Sequence, residues 1–367
     1  MSASALKLIP VRSAVAFLFA AVLTVLAFAE PLCGQNESVP PTQVTEMVAR
    51  VRAAEPREVA ALNALPLGEK LLFEQRYAEA QELFDALLAK WPREPAVLYG
   101  TALATFNLGR AAEAEALARS AAEILENVSQ QSGANSAVVA QRIRGADALV
   151  LLAVILGARG ADTEALKTVE RAVALAPEHF DAQFTLGRAL YGVGDSAGAV
   201  KAFRAALKLQ PDNARALFFL ATALEGAGDT AGALVAYRDL VARQPHAAEG
   251  HLGLGVLLIK RGGEDAEKGI QELKIAVGID PNLYEAQVAL GRGLLLRKLA
   301  EESVEHLRRA AELAPANPEP HYQLALAYRR LGLNDKAVEE TAIVKRIHAN
   351  RRGEGAPSNN SNSRPDQ

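Results

Sequence analysis

Small and apolar residues recur along this chain at a fixed interval of 34 residues. A glycine falls at Gly160, Gly194, Gly228 and Gly262, and prolines repeat in the same way from Pro177 onwards. The leucines of the apolar pattern keep this interval with one slip of two residues; they are Leu152, Leu186, Leu220, Leu254, Leu290 and Leu324. A constant period of this length and these residue types predicts pairs of α-helices, each pair stacked on the next.

Within each unit, the residue types predict where the helices end and begin. Gly194 and Gly228 are predicted to end a first helix, because glycine adopts the left-handed conformation at little cost. Asp195 and Asp229 follow directly, and we expect them to cap the second helix. Gly187, which lacks a side chain, is predicted to let the two helices approach closely. The proline near the end of each unit then stops the second helix.

Counting by the leucine–glycine and proline positions gives eight units. Two fill residues 61–128 and six fill residues 146–351; their bounds are 61–94, 95–128, 146–179, 180–213, 214–247, 248–283, 284–317 and 318–351. The slip of two residues is predicted to lengthen the turn at 261–265. Residues 129–145 are predicted to form an insertion and the start of an extended helix, which either pads the stack or offers a lateral contact.

The N-terminus is typical of a signal peptide at residues 1–29. Lys7 and Arg12 precede an uncharged apolar run over 14–29, which ends in a small-residue cleavage pattern at Ala27 and Ala29. Cleavage there would change the formal net charge from −3 to −5, because both positive charges are lost. Two alternatives remain open: an uncleaved membrane anchor, and a lipoprotein that begins at Cys33.

The segments outside the repeats have little apolar character. Residues 30–60 are predicted to form a leader with one short helix, which carries Val44, Val48 and Val51 and is capped by Thr42. Residues 352–367 contain almost nothing to bury and are predicted to be a disordered tail.

Composition and motifs argue against several kinds of function. The net charge of −3 and the pI of about 6.1 give no basic surface for nucleic acid. A single cysteine excludes a disulfide framework and a cysteine-based zinc site. His246 and His251 are five residues apart, which does not place them on one helical face as paired metal ligands. Phosphate-loop and HExxH motifs are absent from the sequence. We therefore expect no metal, no cofactor and no enzymatic activity.

The repeat resembles the tetratricopeptide repeat family. The unit at 180–213 carries the pattern at Leu186, Gly187, Leu190, Gly194, Asp195, Ala199, Phe203, Ala206 and Pro211. The last unit departs from it at Thr341, where an aromatic residue is expected. The resemblance covers residues 61–351 and implies an all-α solenoid, a right-handed superhelix of about eight helix–turn–helix repeats.

The same resemblance implies a partner-binding groove lined by the fifth, ninth and twelfth positions of the first helices. The candidate residues are Tyr99, Phe106, Phe184, Arg188, Phe218, Thr222, Arg292 and Tyr322. Phe184, Phe218 and Tyr322 are the expected apolar anchors, and Arg188 and Arg292 the groups expected to orient the partner. An alternative is that the aromatic residues only pack against the next unit. The groove lacks the lysine and asparagine pattern with which some relatives hold a C-terminal carboxylate.

These features favour a non-enzymatic scaffold that binds a protein or peptide outside the cytoplasm, as in an exported bacterial protein. One alternative is a structural subunit of an envelope assembly or of a polysaccharide-export complex. Another is an accessory region of an enzyme system, although repeats over 61–351 leave no room for a catalytic domain. We expect no contact with nucleic acid, and none with a membrane unless the N-terminal segment is retained as an anchor.

Overall fold

The computed structural model describes residues 38–59, 63–129 and 136–351. The signal peptide predicted at 1–29 and the disordered tail predicted at 352–367 lie outside these residues. Within them all regular secondary structure is helical, without a strand. The helices are α1 Pro41–Ala53, α2 Ala64–Phe73, α3 Tyr77–Lys90, α4 Pro95–Asn107, α5 Ala111–Ser129, α6 Ser136–Ala158, α7 Asp162–Leu175, α8 Phe180–Gly192, α9 Ser196–Leu209, α10 Ala214–Gly226, α11 Thr230–Arg243, α12 Ala248–Arg261, α13 Asp265–Ile279, α14 Tyr284–Leu296, α15 Ala300–Leu313, α16 Pro318–Arg330 and α17 Asn334–Arg351.

From α2 onwards the helices form eight consecutive antiparallel pairs, the first being α2–α3 and the last α16–α17. A turn of three residues joins the two helices of every pair, as at 193–195. Four residues join one pair to the next wherever that connection is described, as at 210–213. The prediction of an all-α fold built from helix–turn–helix repeats is confirmed.

The chain divides into two compact units, Met1–Pro211 and Asp212–Gln367. The described helices of the first unit are α1–α9, and those of the second unit are α10–α17. Each unit has its own buried apolar clusters, such as the one around Leu149 and Val169 in the first unit and the one around Leu307 and Leu324 in the second.

Helix α1 covers the apolar face of the first pair with Val44, Val48 and Val51, which are buried against α3. The helix begins at Pro41, with Pro40 at the N-cap position and no side-chain hydrogen bond there. The prediction that Thr42 caps this helix is therefore wrong. Proline has the fixed φ that suits the first helical position, so the helix starts before Thr42 and includes it.

Helix α6 has 23 residues, whereas α8, the next first helix, has 13. Its C-terminal half is buried on all sides, which explains the continuous apolar sequence at 148–156. Its N-terminal half exposes Val139 and Ile143. Neither α6 nor any other helix of the described ranges is both long and apolar enough to cross a membrane.

The turns inside the repeats have the predicted geometry. Gly194 and Gly228 adopt φ values of 89° and 81°, in the region that favours glycine. Asp195 accepts a hydrogen bond of 2.8 Å from the backbone N–H of Gly198, three residues further on. Asp229 makes the equivalent bond one repeat later, also at 2.8 Å. Both aspartates therefore cap their second helices, as expected from the sequence.

The helices of a pair touch where glycine was predicted to permit it. A Cβ atom at Gly187 would lie 2.6 Å from the ring of Phe203 on the second helix of the same pair. In α12–α13 the two backbones themselves meet, because a Cβ at Gly269 would lie 2.6 Å from the carbonyl oxygen of Gly255. At Gly269 backbone atoms occupy the space of a side chain, whereas at Gly187 the ring of Phe203 would have to shift.

The two extra residues of unit 248–283 do not lengthen its turn, so that prediction is wrong. The turn is 262–264 and has three residues, like the others. Instead α12 and α13 have 14 and 15 residues, against 13 and 14 in α14 and α15. Gly262 and Gly263 both have positive φ, at 76° and 59°, and reverse the chain directly after the longer helix.

Polar pairs join the two helices of the last three repeats, and sequence reasoning missed them. The pairs are His251 with Glu272 at 2.6 Å, Gln287 with His306 at 2.9 Å, and His321 with Glu340 at 2.6 Å. The partners are 21, 19 and 19 residues apart, and the difference is the two-residue slip. This shared spacing was the signal that the histidines hold the helices together.

Candidate partner-binding surface

In the first unit, Phe184 belongs to the core. Its side chain is 1% exposed. Its ring lies 5.8 Å from that of Phe180 and 5.7 Å from that of Phe203. The expectation that Phe184 anchors a partner is therefore corrected, because its ring is buried beside the rings of Phe180 and Phe203.

Tyr99 and Phe106 are half-buried on α4 and pack against the apolar clusters that α5 and α6 complete. Burial raises the pKa of the Tyr99 hydroxyl well above its ordinary value, and the nearby carboxylates of Asp147 and Asp181 act in the same direction. This tyrosine is therefore neutral at physiological pH. Both residues are mainly structural, with only part of each ring accessible.

Arg188 lies at a small cleft where α6, α7 and α8 meet. The cleft measures about 20 Å³, enough for one small group, and Val154 and Ala189 form part of its apolar wall. Thr185 and Asp162 supply the other polar side chains of this wall. Of the four residues predicted in the first unit, Arg188 lines this cleft.

In the second unit, two ion pairs join first helices of successive repeats. Lys260 of α12 lies 2.9 Å from Glu225 of α10, and Arg292 of α14 lies 3.1 Å from Glu319 of α16. Residues three or four positions away on the same helix share the face with these charges. We call this surface the first-helix face; its residues are Phe218, Thr222, Glu225, Val256, Lys260, Arg292, Leu296, Glu319 and Tyr322.

The first-helix face exposes three large apolar side chains. Val256, Leu296 and Tyr322 are 40%, 66% and 63% exposed, and they lie on α12, α14 and α16. Tyr322 was predicted to line the groove because it occupies the fifth position of α16. Leu296 was missed because it occupies the thirteenth position, although it follows the ninth-position Arg292 by one helical turn.

Phe218 and Thr222 support this face from α10. The ring of Phe218 is half-buried, with ring centroids 5.7 Å from Phe219 and 6.1 Å from Tyr237. The Thr222 hydroxyl lies 3.2 Å from the Tyr237 hydroxyl and donates to the Phe218 carbonyl oxygen at 3.0 Å. These contacts hold the two predicted residues in place and leave only part of each accessible.

Arg292, which was predicted to orient a partner, is paired within the protein. Its guanidinium donates to Glu319, while its side chain remains 38% exposed. A partner that binds here meets a neutral ion pair, whose stabilising effect in water is below about 1 kcal/mol.

The described residues contain no cluster of three or more His, Cys, Asp or Glu side chains that could hold a metal ion. The polar groups of the first-helix face form ion pairs and hydroxyl contacts between neighbouring helices.

Comparison with known proteins supports the repeat assignment. Residues 65–129, 184–237 and 220–284 match the family model described as tetratricopeptide repeat. No curated protein matches the chain.

Among solved structures, a tetratricopeptide repeat protein from Parabacteroides merdae is similar with a TM-score of 0.53 and 16% identity, covering 72% of this chain and 97% of its own. PilF of Pseudomonas aeruginosa gives a TM-score of 0.49 and 15% identity, covering 59% and 95%. YrrB, described as having an unusual peptide-binding site, gives 0.40 and 18%, covering 51% and 95%.

At these identities, structural likeness shows the fold alone. The fold agrees with the family match. It also agrees with the aspartate that caps a second helix after its three-residue turn, and with the glycine contacts between paired helices. The matched segments are therefore similar to the tetratricopeptide repeat family.

Proposed function

We propose that this protein is a non-enzymatic scaffold whose first-helix face binds an apolar stripe of a protein or peptide partner. Proteins of this repeat family act as scaffolds for protein–protein interaction. The observation that carries the proposal is the exposure of Val256, Leu296 and Tyr322 on three neighbouring first helices. Large apolar side chains grouped on one surface are typical of interaction sites.

The charges around these side chains favour an apolar partner. Lys260 is paired with Glu225 and Arg292 with Glu319, so the face presents neutral pairs between its apolar groups. Covering a leucine-sized side chain contributes about 1.5–3 kcal/mol, which exceeds what an exposed ion pair supplies. An amphipathic helix or an extended segment with apolar residues at regular spacing fits this arrangement.

The N-terminal sequence leads us to propose that the scaffold acts outside the cytoplasm. Lys7, Arg12 and the uncharged apolar run at 14–29 form the pattern of a signal peptide. In that case the partner is also an exported or envelope protein.

Selection from a library of random 12-residue peptides on the protein lacking residues 1–29 would provide ligands for a direct test. Leu296→Ser and Val235→Ser form a matched pair, because both side chains are 66% exposed and only Leu296 lies on the first-helix face. We expect Leu296→Ser to weaken binding of the selected peptides at least tenfold, or about 1.4 kcal/mol. Val235→Ser on α11 should leave the affinity unchanged.

Equal affinities for the two variants would refute binding at this face. Melting curves of both variants should be close to that of the unmodified protein, because substitutions of exposed residues usually change stability by no more than about 0.5 kcal/mol. A tenfold loss in both would point to a change of fold instead.

A further inference from the structure

The cleft in the first unit combines small apolar walls with a buried polar group. Ala153, Ala165, Ala189 and Gly192 line it, and their small size leaves the space open between α6, α7 and α8. Thr185 of α8 also lines the cleft and is 6% exposed. The site is distinct from the first-helix face, which lies in the second unit.

Thr185 differs from other threonines in the helices of this protein. Thr101, Thr168, Thr222 and Thr341 each donate their hydroxyl to the carbonyl oxygen four residues earlier, at 2.7–3.0 Å. The buried Thr185 hydroxyl has no hydrogen-bond partner among the described residues. A buried hydroxyl in this state is unfavourable, and a group that enters the cleft and bonds to it would remove the deficit.

Size and charge restrict what that group is. A space of about 20 Å³ is sufficient for one hydroxyl or methyl group. Asp162 and Arg188 both line the cleft, so a charged group meets one like and one opposite charge there, and the lining favours neither sign. A small, neutral side chain that both donates and accepts a hydrogen bond satisfies all of these conditions.

We propose that this cleft is a second binding site, which takes the side chain of a serine or threonine from a partner peptide. The hydroxyl of that residue bonds to Thr185, and its carbon atoms contact Ala153 and Ala189. The site selects for a residue type, whereas the first-helix face binds apolar surface.

The test begins with a random 12-residue peptide library selected on the Leu296→Ser variant, whose first-helix face is impaired. Peptides that bind there are expected to share a serine or threonine. Thr185→Val keeps the shape of the side chain and removes the hydroxyl. It should therefore lower the affinity for these peptides at least tenfold. Thr168→Val is the control, since Thr168 is buried in α7 and bonds to its own helix.

A second measurement is independent of variants of the protein. Methyl groups of threonine are labelled with ¹³C, and the Thr185 resonance is followed by NMR while a selected peptide is added. We expect the resonance to shift with the serine peptide and not with its serine-to-alanine counterpart. Affinity unchanged in Thr185→Val, a Thr185 methyl that does not respond, or a selection that yields no hydroxyl-dependent peptide would each overturn the proposal. Water alone would then occupy the cleft.

The two proposals can be refuted independently of each other. Loss of serine dependence leaves the test on Leu296 and Val235 untouched, because those peptides are selected on the protein with an intact first-helix face. If Leu296→Ser does not change the affinity for the first set of peptides, the Thr185 experiment can still be interpreted.

Discussion

Single side chains decide whether a repeat position is part of the core or of the surface. Phe184 and Tyr322 occupy the same fifth position of their helices. Phe184 is covered by Phe203, which lies on the second helix of the same repeat. The residue equivalent to Phe203 in the last repeat is Thr341, which bonds to its own helix and presents no ring. Tyr322 is therefore exposed.

His306 is a residue whose charge state affects stability. Gln287 donates its amide N–H to the Pro281 carbonyl oxygen at 2.9 Å, which turns its side-chain oxygen toward His306 Nδ1 at 2.9 Å. The hydrogen bond between His306 and Gln287 therefore needs a proton on Nδ1, which the neutral imidazole can carry. Burial lowers the pKa of His306 below its ordinary value, and Lys274 acts in the same direction.

We predict that His306 makes folding less favourable in mild acid. Its folded-state pKa is lowered, so its contribution is complete above the ordinary value of about 6.5 and is lost as the pH falls from there toward the lower folded value. Urea unfolding at pH 7.5 and pH 5.0 measures the loss. His306→Asn keeps a donor near Gln287 and does not titrate, so it should lose less stability over this interval. An equal loss in both proteins would show that other groups cause it.

Pairs of helices depend on how closely two backbones can approach. Helices α12 and α13 meet at Gly255 and Gly269, where backbone atoms already occupy the space of a side chain. This close contact accompanies one extra residue in each helix of the pair. Because backbone atoms cannot rotate away as side-chain atoms do, the contact tolerates no substitution.

We predict that Gly269→Ala destabilises the protein by about 1–3 kcal/mol or more, since its Cβ would lie 2.6 Å from the Gly255 carbonyl oxygen. Gly278→Ala in the same helix is the matched control, because no atom lies within 4 Å of its added Cβ. That change should stabilise the helix by about 0.5–1 kcal/mol. Denaturant titration of both variants gives the two values. Similar effects of the two substitutions would contradict the packing of α12 against α13.

The whole molecule consists of two compact units, and each carries a different candidate surface. The second unit presents exposed apolar side chains between neutral ion pairs, and the first unit presents a small cleft with one buried hydroxyl. We propose that the N-terminal segment directs both units to a compartment outside the cytoplasm.

We predict that the protein made in a bacterial host is exported and begins at Glu30, because the apolar run ends at Ala29. N-terminal sequencing and the intact mass provide the measurement. Leu23→Arg combined with Leu26→Arg interrupts the apolar run and should keep the full-length chain in the cytoplasm. An unmodified protein that retains Met1 and stays soluble in the cytoplasm would contradict export. A start at Cys33 would indicate a lipoprotein, and a full-length chain in the membrane an anchor.

The sequence alone was sufficient to predict the helices, their pairing in eight repeats and the glycine and aspartate turns. These features depend on local causes. Glycine adopts a positive φ in the turn, aspartate accepts a hydrogen bond from the backbone N–H three residues later, and proline ends a helix. Each cause acts within one repeat, and repetition made each of them visible several times.

Only the tertiary structure decided which predicted groove residues are accessible. Phe184 is covered by Phe180 and Phe203, Arg292 is paired with Glu319 of the next repeat, and Leu296 is exposed. The two extra residues of unit 248–283 also lengthen the helices α12 and α13, and the turn between them keeps three residues. Exposure and pairing depend on side chains that other helices bring alongside, and the period of the repeat does not specify those contacts.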